Sequence, residues 1–82
     1  MEDKKEIGKI THFFPKINVA IVELTEPLSV GDKIWINGAE TVLEQTIESM
    51  QIEHQNIQKA EKGQAIGLKV IEKVRAHDRL YK

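Results

Sequence analysis

The sequence lacks cysteine and has only two prolines, five glycines and 5% aromatic residues. The absence of cysteine excludes disulfide frameworks and zinc sites with thiolate ligands. No apolar run approaches the roughly 20 residues that a membrane-spanning helix needs. Residues 1–6 are largely charged and lack the apolar segment of a signal peptide, so we expect a cytoplasmic protein with no membrane association. The 82 residues suffice for one small domain.

Residue patterns for metal binding and catalysis are also absent. His12, His54 and His77 lie far apart, with no second histidine or acidic residue at ligand spacing, so we expect no metal site. Ser29 and Ser49 have no nucleophile-elbow context. The sequence therefore predicts a protein that is not an enzyme, has no catalytic residues and holds no cofactor.

The segment 63–70 is the nearest approach to a phosphate-binding loop. Such a loop needs the pattern G-x-x-x-x-G-K-[ST], in which backbone N–H groups and the lysine surround the phosphates. Here the second glycine, Gly67, comes one position early, and Val70 stands where a hydroxyl side chain would bind magnesium. We therefore expect no bound nucleotide.

The formal net charge of −1 argues against a strongly basic nucleic-acid coat protein. Charge is nevertheless uneven, because five basic residues lie between Lys69 and Lys82 against two acidic ones. This excess has two interpretations: a solvated edge that aids solubility, or a small patch for an anionic partner such as RNA. The RNA interpretation makes Lys69, Lys73 and Arg75 candidate nucleic-acid-binding residues.

Short β-rich segments separated by turn signals account for much of the chain. They predict strands at residues 7–13, 18–24, 33–36, 64–70 and 79–81. Directly after the predicted strand at residues 33–36, Asn37-Gly38 is a strong hairpin signal. With no linker or repeat, the organisation predicted is one domain at residues 7–82, preceded by frayed residues 1–6.

Residues 40–62 fit two secondary structures. Apolar or weakly polar positions recur there at helical spacing, at Leu43, Ile47, Met50, His54 and Ile57. Gly63 would then be a helix C-cap. A strand with Leu43, Gln45 and Ile47 on one face is the alternative, and it needs a turn or bulge near residues 48–49. The local pattern alone favours the helix.

Several motifs, taken in order, resemble the second domain of translational GTPases such as elongation factor Tu. They are Gly8-Lys9-Ile10, Val30-Gly31-Asp32 with its flanking residues, Ser49-Met50-Gln51-Ile52, and the segment 60–68 with the pattern A-x-x-G-x-x-[VI]-G-L. The resemblance covers residues 7–82 and extends to stand-alone elongation-factor-like proteins. Residues 49–52 and 74–81 also resemble the carboxy-terminal barrel of collagenase-type peptidases.

This resemblance implies an all-β fold, a small closed six- or seven-stranded β-barrel, with strands at 41–49 and 50–54 in place of the helix. It further implies a non-catalytic binding module associated with translation, which contacts transfer or ribosomal RNA or a ribosome-associated protein. In the family, an acidic and a basic residue help to hold the aminoacylated 3′ end of transfer RNA. The corresponding positions here are Gln51 and His54, and neither residue keeps the family's charge.

Strand alternation suggests a second surface. If Ala20, Val22 and Leu24 face the core, Val19 and Ile21 face outward. Alternation also directs Trp35 outward, and we expect it beside Val19 and Ile21 unless the amino-terminal segment, including Phe13 or Phe14, covers it. Such an apolar patch favours the alternative function, a protein–protein interaction or oligomerisation module with no nucleic-acid role, like barrels appended to peptidases.

Overall fold

The protein is all-β: the computed structural model describes residues 4–82 and has ten strands and no helix in that range. The strands are β1 (Glu6–Phe14), β2 (Val19–Leu24), β3 (Leu28–Ser29), β4 (Lys33–Asn37), β5 (Val42–Thr46), β6 (Met50–Ile52), β7 (Gln55–Ile57), β8 (Lys59–Ala60), β9 (Ala65–Lys69) and β10 (Arg79–Tyr81). The five strands predicted from turn signals and alternation correspond to β1, β2, β4, β9 and β10, within one residue at each end.

Eight strands form one strongly curled antiparallel sheet, in the order β5-β4-β10-β1-β2-β9-β6-β7, while β3 and β8 form a separate pair. The side chains inside the curl are buried and apolar, among them Ile10, Val22, Ile34, Ile36, Met50, Leu68 and Leu80. The predicted all-β barrel-like fold is confirmed. The strands outnumber the predicted six or seven because turns divide residues 42–60 into four short strands and because Leu28–Ser29 forms a further short strand.

Two irregularities bend β1, the strand that pairs with both β10 and β2. The register shifts between Glu6 and Gly8 and again between Ile10 and His12. A bulge bends a strand and increases its twist, which curls the sheet. At Gly8 the neighbouring strand is so close that a Cβ atom would lie 2.8 Å from Cγ1 of Val22. A side chain at this position would push β1 and β2 apart.

Residues 40–62 are strands, and the helical interpretation of their local pattern is wrong. Leu43 and Gln45 of β5 point into the interior, and Ile47, just after the strand, is also buried; residues 47–49 separate β5 from β6, where Met50 points inward. His54, which the helical stripe included, is exposed in a turn. Gly63 occupies another turn, with φ of 89°, and does not cap a helix. Pairing with β4, β9 and neighbouring strands overrides the weak local preference for helix.

The curled sheet is joined along its open side by a side chain. In the described part of the chain the two end strands, β5 and β7, do not pair with each other. Gln45 of β5 instead donates a hydrogen bond from Nε2 to the carbonyl of Lys69 at 3.0 Å and accepts one from the N–H of Ile71, also at 3.0 Å. Backbone groups also span this side of the curl, because β3 pairs with β8 and the N–H of Val30 bonds to the carbonyl of Gln58 at 2.9 Å.

The predicted hairpin at Asn37-Gly38 joins β4 to β5, and Asn37 pairs with Val42. Its connection has four residues instead of the two that an Asn-Gly turn usually provides, and the N–H of Gly38 bonds to the carbonyl of Thr41 at 2.9 Å. Gly38 lies against the buried carboxylate of Asp78, and its φ angle is not positive. Glycine is therefore needed here because a side chain would collide with Asp78, and not because the backbone is left-handed.

The two ends of the described chain lie together. Lys5 and Lys82 exchange backbone hydrogen bonds of 3.1 and 2.9 Å, and Glu6 already belongs to β1. Of the predicted frayed segment 1–6, residues 1–3 lie outside the described residues. Between residues 4 and 82 there is no helix of the length and hydropathy required to cross a membrane.

Candidate functional site

A groove crosses the outer face of the sheet where β2, β9 and β6 lie side by side. Its floor is a cross-strand row: Ile21 of β2 is opposite Gly67 of β9, and Gly67 is opposite Gln51 of β6. Because Gly67 has no side chain, the floor is low between its two neighbours. A Cβ atom there would lie 3.4 Å from Cγ1 of Val19, an ordinary van der Waals contact.

Two adjoining depressions of about 280 and 260 Å³ make up this groove. Both are lined by Ile17, Val19, Gln51 and Gly67. The first depression is completed by Ser49 and Lys69, and the second by Phe14, Ile21, Glu53 and His54. We call the combined feature, with these ten lining residues, the β2–β9–β6 groove.

One wall of the groove is apolar. Phe14 ends β1 and Ile17 lies in the turn to β2, and these side chains are 47% and 59% exposed. The N–H of Ile17 bonds to the carbonyl of Phe14 at 3.3 Å, which holds the turn, and Asn18 closes it with a positive φ of 54°. Adjacent exposed apolar side chains of this size mark interaction surfaces more often than isolated ones do.

The opposite wall is a strained two-residue turn. Glu53 and His54 connect β6 to β7, and the residues on either side of this turn, Ile52 and Gln55, pair with each other. Their φ angles are 50° and 66°, so both central residues are in the left-handed region, as in a type I′ turn. Such turns strongly favour Asn-Gly, and a left-handed residue with a longer side chain costs about 1–2 kcal/mol. Strain of this kind concentrates where side chains serve a function.

Polar groups on the floor are positioned by neighbouring strands. Gln51 donates from Nε2 to Oδ1 of Asn56 at 3.2 Å, which orients its amide across the β6–β7 pair. At the other end of the groove, the backbone of Lys69 is held by the hydrogen bond from Gln45 and by its own N–H, which bonds to the carbonyl of Ser49 at 3.3 Å. The groove therefore combines an apolar centre with an amide, one cation and one carboxylate.

The structure brings together five of the eight residues that the sequence suggested for binding. Gln51, His54 and Lys69 came from the RNA prediction, and Val19 and Ile21 from the partner-binding prediction, yet all five line the β2–β9–β6 groove. The two predicted surfaces are thus largely one surface. What each residue binds remains a prediction.

Trp35 is not beside Val19 and Ile21, and that expectation is wrong. Trp35 lies on β4, and strands β10 and β1 separate β4 from β2 in the sheet. Alternation assigns the face of a residue but not the order of strands, which is why the sequence misplaced it. Phe13 and Phe14, considered as its cover, pair with Ala20 and Val19 on β2.

Trp35 is instead surrounded by charged side chains. Its indole N–H donates to Oε1 of Glu44 at 2.8 Å, and Nζ of Lys4 lies 3.9 Å from the ring centroid. Lys33 pairs with Glu44 at 2.9 Å. The hydrogen bonds from Lys33 and then from Trp35 lower the pKa of Glu44. Of the amino-terminal segment, Lys4 contacts the indole ring, and charged side chains adjoin Trp35 where an apolar patch was expected.

The other basic candidates lie outside the groove. Arg75 is paired with Glu40 at 2.7 Å, which partly neutralises its charge, and Lys73 is exposed in the segment between β9 and β10. Neither lines the groove that contains Lys69. The predicted basic stretch is therefore not gathered into one site by the fold.

Sequence reasoning missed Phe14, Ile17, Ser49, Glu53 and Gly67 as site residues. A signal for the first pair was available, because Phe14-Pro15 and the residues after it form a turn that exposes two large apolar side chains. Another signal was Gly67, since a glycine inside a strand often marks a place where something approaches closely. Within residues 4–82 there is no cluster of three or more His, Asp or Glu side chains that could hold a metal ion.

Comparisons with known proteins relate the chain to peptidases. No family model matches it. It is 42% identical over 95% of its length to part of an uncharacterised protease of Methanocaldococcus jannaschii, and 41% identical over 96% to part of a collagenase of Porphyromonas gingivalis. The chain covers only 19% and 22% of these two relatives.

Solved structures agree with the fold. The C-terminal domain of a Geobacillus thermoleovorans protein classed as a U32 peptidase superposes with a TM-score of 0.90 at 21% identity, covering 95% of this chain and 99% of that one. A second crystal structure of that domain gives a TM-score of 0.84, covering 90% and 86%. The predicted likeness to the barrels of collagenase-type peptidases is confirmed. These relatives give no support to the likeness to translational GTPases, which stays a prediction.

Proposed function

We propose that the chain is a non-catalytic binding module that binds a polypeptide segment in the β2–β9–β6 groove. The observation that carries this proposal is the exposed apolar wall of Phe14 and Ile17 beside a floor lowered at Gly67. A depression of this kind accepts an apolar side chain, and burial of about one such side chain contributes about 1.5–3 kcal/mol.

The amides of the groove suit a peptide backbone. Gln51 uses one N–H for Asn56, which leaves its Oε1 and its second N–H for a ligand. These groups match the N–H and the C=O of an extended peptide. The floor strands β2, β9 and β6 are each paired on both sides, so the ligand lies on the outer face of the sheet and does not add a strand to it.

A polypeptide fits the groove better than RNA does. Affinity for nucleic acid comes largely from several cations placed along the phosphates. The groove contains a single lysine, Lys69, and also the carboxylate of Glu53, which repels phosphate. A role in translation would involve RNA binding through Gln51, His54, Lys69, Lys73 and Arg75. The groove lining does not offer that role a row of cations that matches the phosphates of RNA.

The relatives support an accessory role. The chain matches about a fifth of the protease and of the collagenase, so most of each relative has no counterpart in it. We infer that peptide-bond chemistry in those proteins belongs to the unmatched part and that the barrel contributes binding. Because one relative is named a collagenase, a collagen-derived polypeptide is a rational first probe.

A pair of substitutions on β9 tests the proposal. Gly67→Val fills the floor of the groove, whereas Ala65→Val adds bulk to the same face of the same strand, two residues away and outside the groove lining. Each variant, labelled with ¹⁵N, is titrated with gelatin and with reduced, carboxymethylated lactalbumin. We expect amide shifts at Gly67 and Gln51 in the parent protein, binding weakened about tenfold in Gly67→Val, and no change in Ala65→Val.

Two results would contradict the proposal. Equal affinity of the two valine variants would show that the groove is not the binding site. Shifts induced by bulk transfer RNA but by neither polypeptide, with an affinity that falls steeply with salt, would favour the nucleic-acid function instead. In that case, neutralising Lys69, Lys73 and Arg75 together should flatten the salt dependence.

A further inference from the structure

We infer that the β2–β9–β6 groove selects an extended peptide segment whose central apolar residue lies between an acidic and a basic residue. This inference rests on the proposed function and adds the chemistry of the partner. Its basis is the placement of opposite charges at the two ends of an apolar groove, with Lys69 at one end and Glu53 at the other.

The positive end is fixed from within the fold. Lys69 ends β9, where its carbonyl accepts a hydrogen bond from the buried amide of Gln45 at 3.0 Å and its N–H bonds to Ser49. Its side chain is exposed and lines the first depression. The backbone anchoring means that the ammonium group starts from a defined point beside the groove.

The negative end is fixed by the strained turn. Glu53 is the first of the two left-handed residues that join β6 to β7, so its position follows from the hairpin register. The side chain lines the second depression together with His54. A flexible loop would not maintain a carboxylate at this place.

Neither charge is satisfied by a neighbour within residues 4–82. Six other cations in that range do have acidic partners, in the pairs Lys5–Glu26, Lys33–Glu44, Lys59–Glu61, Arg75–Glu40, Arg79–Glu6 and Lys82–Asp32. Lys69 and Glu53 form no ion pair there. Both charges are therefore free to interact with a ligand.

The strand register sets the spacing between the charges. Ser49 is opposite Lys69, and Glu53 follows Ser49 by four residues, with Gln51 and the apolar floor midway. At about 3.3 Å per residue, the two ends are about 13 Å apart along the strand. An extended peptide spans this distance with four residues. Its residue midway between the charges would lie over Gly67.

Capped heptapeptides provide a direct test. The matched peptide is Ala-Asp-Ala-Leu-Ala-Lys-Ala, acetylated and amidated so that its ends carry no charge. Its comparison peptides carry two aspartates, two lysines or two serines at the charged positions. In NMR titrations that follow the Gly67 amide, we expect the matched peptide to bind about two- to fivefold more tightly than the serine peptide. The advantage should disappear at high salt.

Charge reversal on the protein provides the specificity test. Lys69→Glu should make the two-lysine peptide the tightest, and Glu53→Lys should do the same for the two-aspartate peptide. Combining both substitutions should restore preference for the matched peptide, which can bind in the opposite direction because its leucine is central. Lys62→Glu and Glu72→Lys reverse exposed charges outside the groove lining and should leave all preferences unchanged.

The outcomes separate this inference from the proposed function. If Gly67→Val abolishes peptide binding but the charge-reversal variants keep the same order of preference, the groove binds peptide and the charge selection is refuted. If none of the heptapeptides, nor gelatin, nor the reduced, carboxymethylated lactalbumin shifts the Gly67 amide, both the proposed function and this inference are refuted.

Discussion

The side-chain amide of Gln45 and the backbone carbonyl of Lys69 are 3.0 Å apart, and this hydrogen bond links the interior of the barrel to the end of the groove. The same amide accepts the N–H of Ile71 at 3.0 Å. One side chain thus takes the place of two ladder hydrogen bonds between β5 and the chain that follows β9. Together with the bond from the N–H of Lys69 to the carbonyl of Ser49, it holds the backbone at Lys69 beside the groove.

Gln45→Leu should therefore destabilise the fold more than an ordinary surface change. Leucine has nearly the same size but leaves a carbonyl and an N–H without their partner, and each such loss costs about 1–3 kcal/mol when the group stays buried. We expect a loss of about 2 kcal/mol in the free energy of unfolding in urea and faster hydrogen exchange at Ile71. Thr46→Val, on the exposed face of the same strand, is the control. An unchanged Ile71 exchange rate would refute the closing role of Gln45.

Gly38 provides a second test of packing, because its α carbon faces the buried carboxylate of Asp78. A Cβ atom at this position would lie 2.6 Å from Cγ of Asp78, and Oδ2 of that carboxylate accepts the N–H of Arg75 at 2.9 Å. Gly38→Ala should cost about 2 kcal/mol, since overpacking forces a hydrogen-bonded group to move. If the cause is steric, Gly38→Ala introduced into the Asp78→Ala variant should lower the free energy of unfolding by less than about 0.5 kcal/mol. Additive costs in this double-mutant cycle would contradict the steric explanation.

Asp32 gives the stability a predictable dependence on pH. Partial burial opposes its ionisation, but the hydrogen bonds from Lys82 and from the N–H of Ser29, with the charge of Lys82, lower its pKa overall. A carboxyl group with a lower pKa in the folded state stabilises the fold above its unfolded-state pKa, near 3.8. That contribution is lost as the pH falls through the lower, folded-state value.

Removing Lys82's charge should reveal this contribution. Lys82→Met should lower the free energy of unfolding by about 0.5–1 kcal/mol at pH 7, because the pair is partly exposed and screened by solvent. The difference from the parent should shrink as the pH falls through the folded-state pKa of Asp32, because a protonated carboxyl group no longer attracts Lys82. Lys59→Met removes the partner of Glu61 in an ion pair that is more exposed than the pair of Lys82 and Asp32. This variant should have little effect at neutral or at acidic pH. A difference that is independent of pH would contradict the assignment to Asp32.

Local patterns predicted five of the ten strands, whereas the all-β barrel-like fold was implied by the family resemblance, and the failures of the local patterns share one physical cause. Alternation identified the inward face of β2, because the period of two is a property of each strand alone. It could not place Trp35 relative to Val19, since that depends on which strands become neighbours. The groove was missed as a unit for the same reason: its residues extend from Phe14 to Lys69 in sequence and meet only through the register of β2, β9 and β6.

The turn at Glu53 and His54 allows a test in which stability and binding change in opposite directions. Replacing both residues, as Glu53→Asn with His54→Gly, installs the pair that left-handed turn positions favour. Relief of strain should raise the free energy of unfolding by about 1 kcal/mol, or the melting temperature by about 4–8 °C. Peptide binding in the groove should weaken, because one wall loses its carboxylate and its imidazole. A variant that is more stable and binds as tightly as the parent would show that the strained turn does not serve the groove.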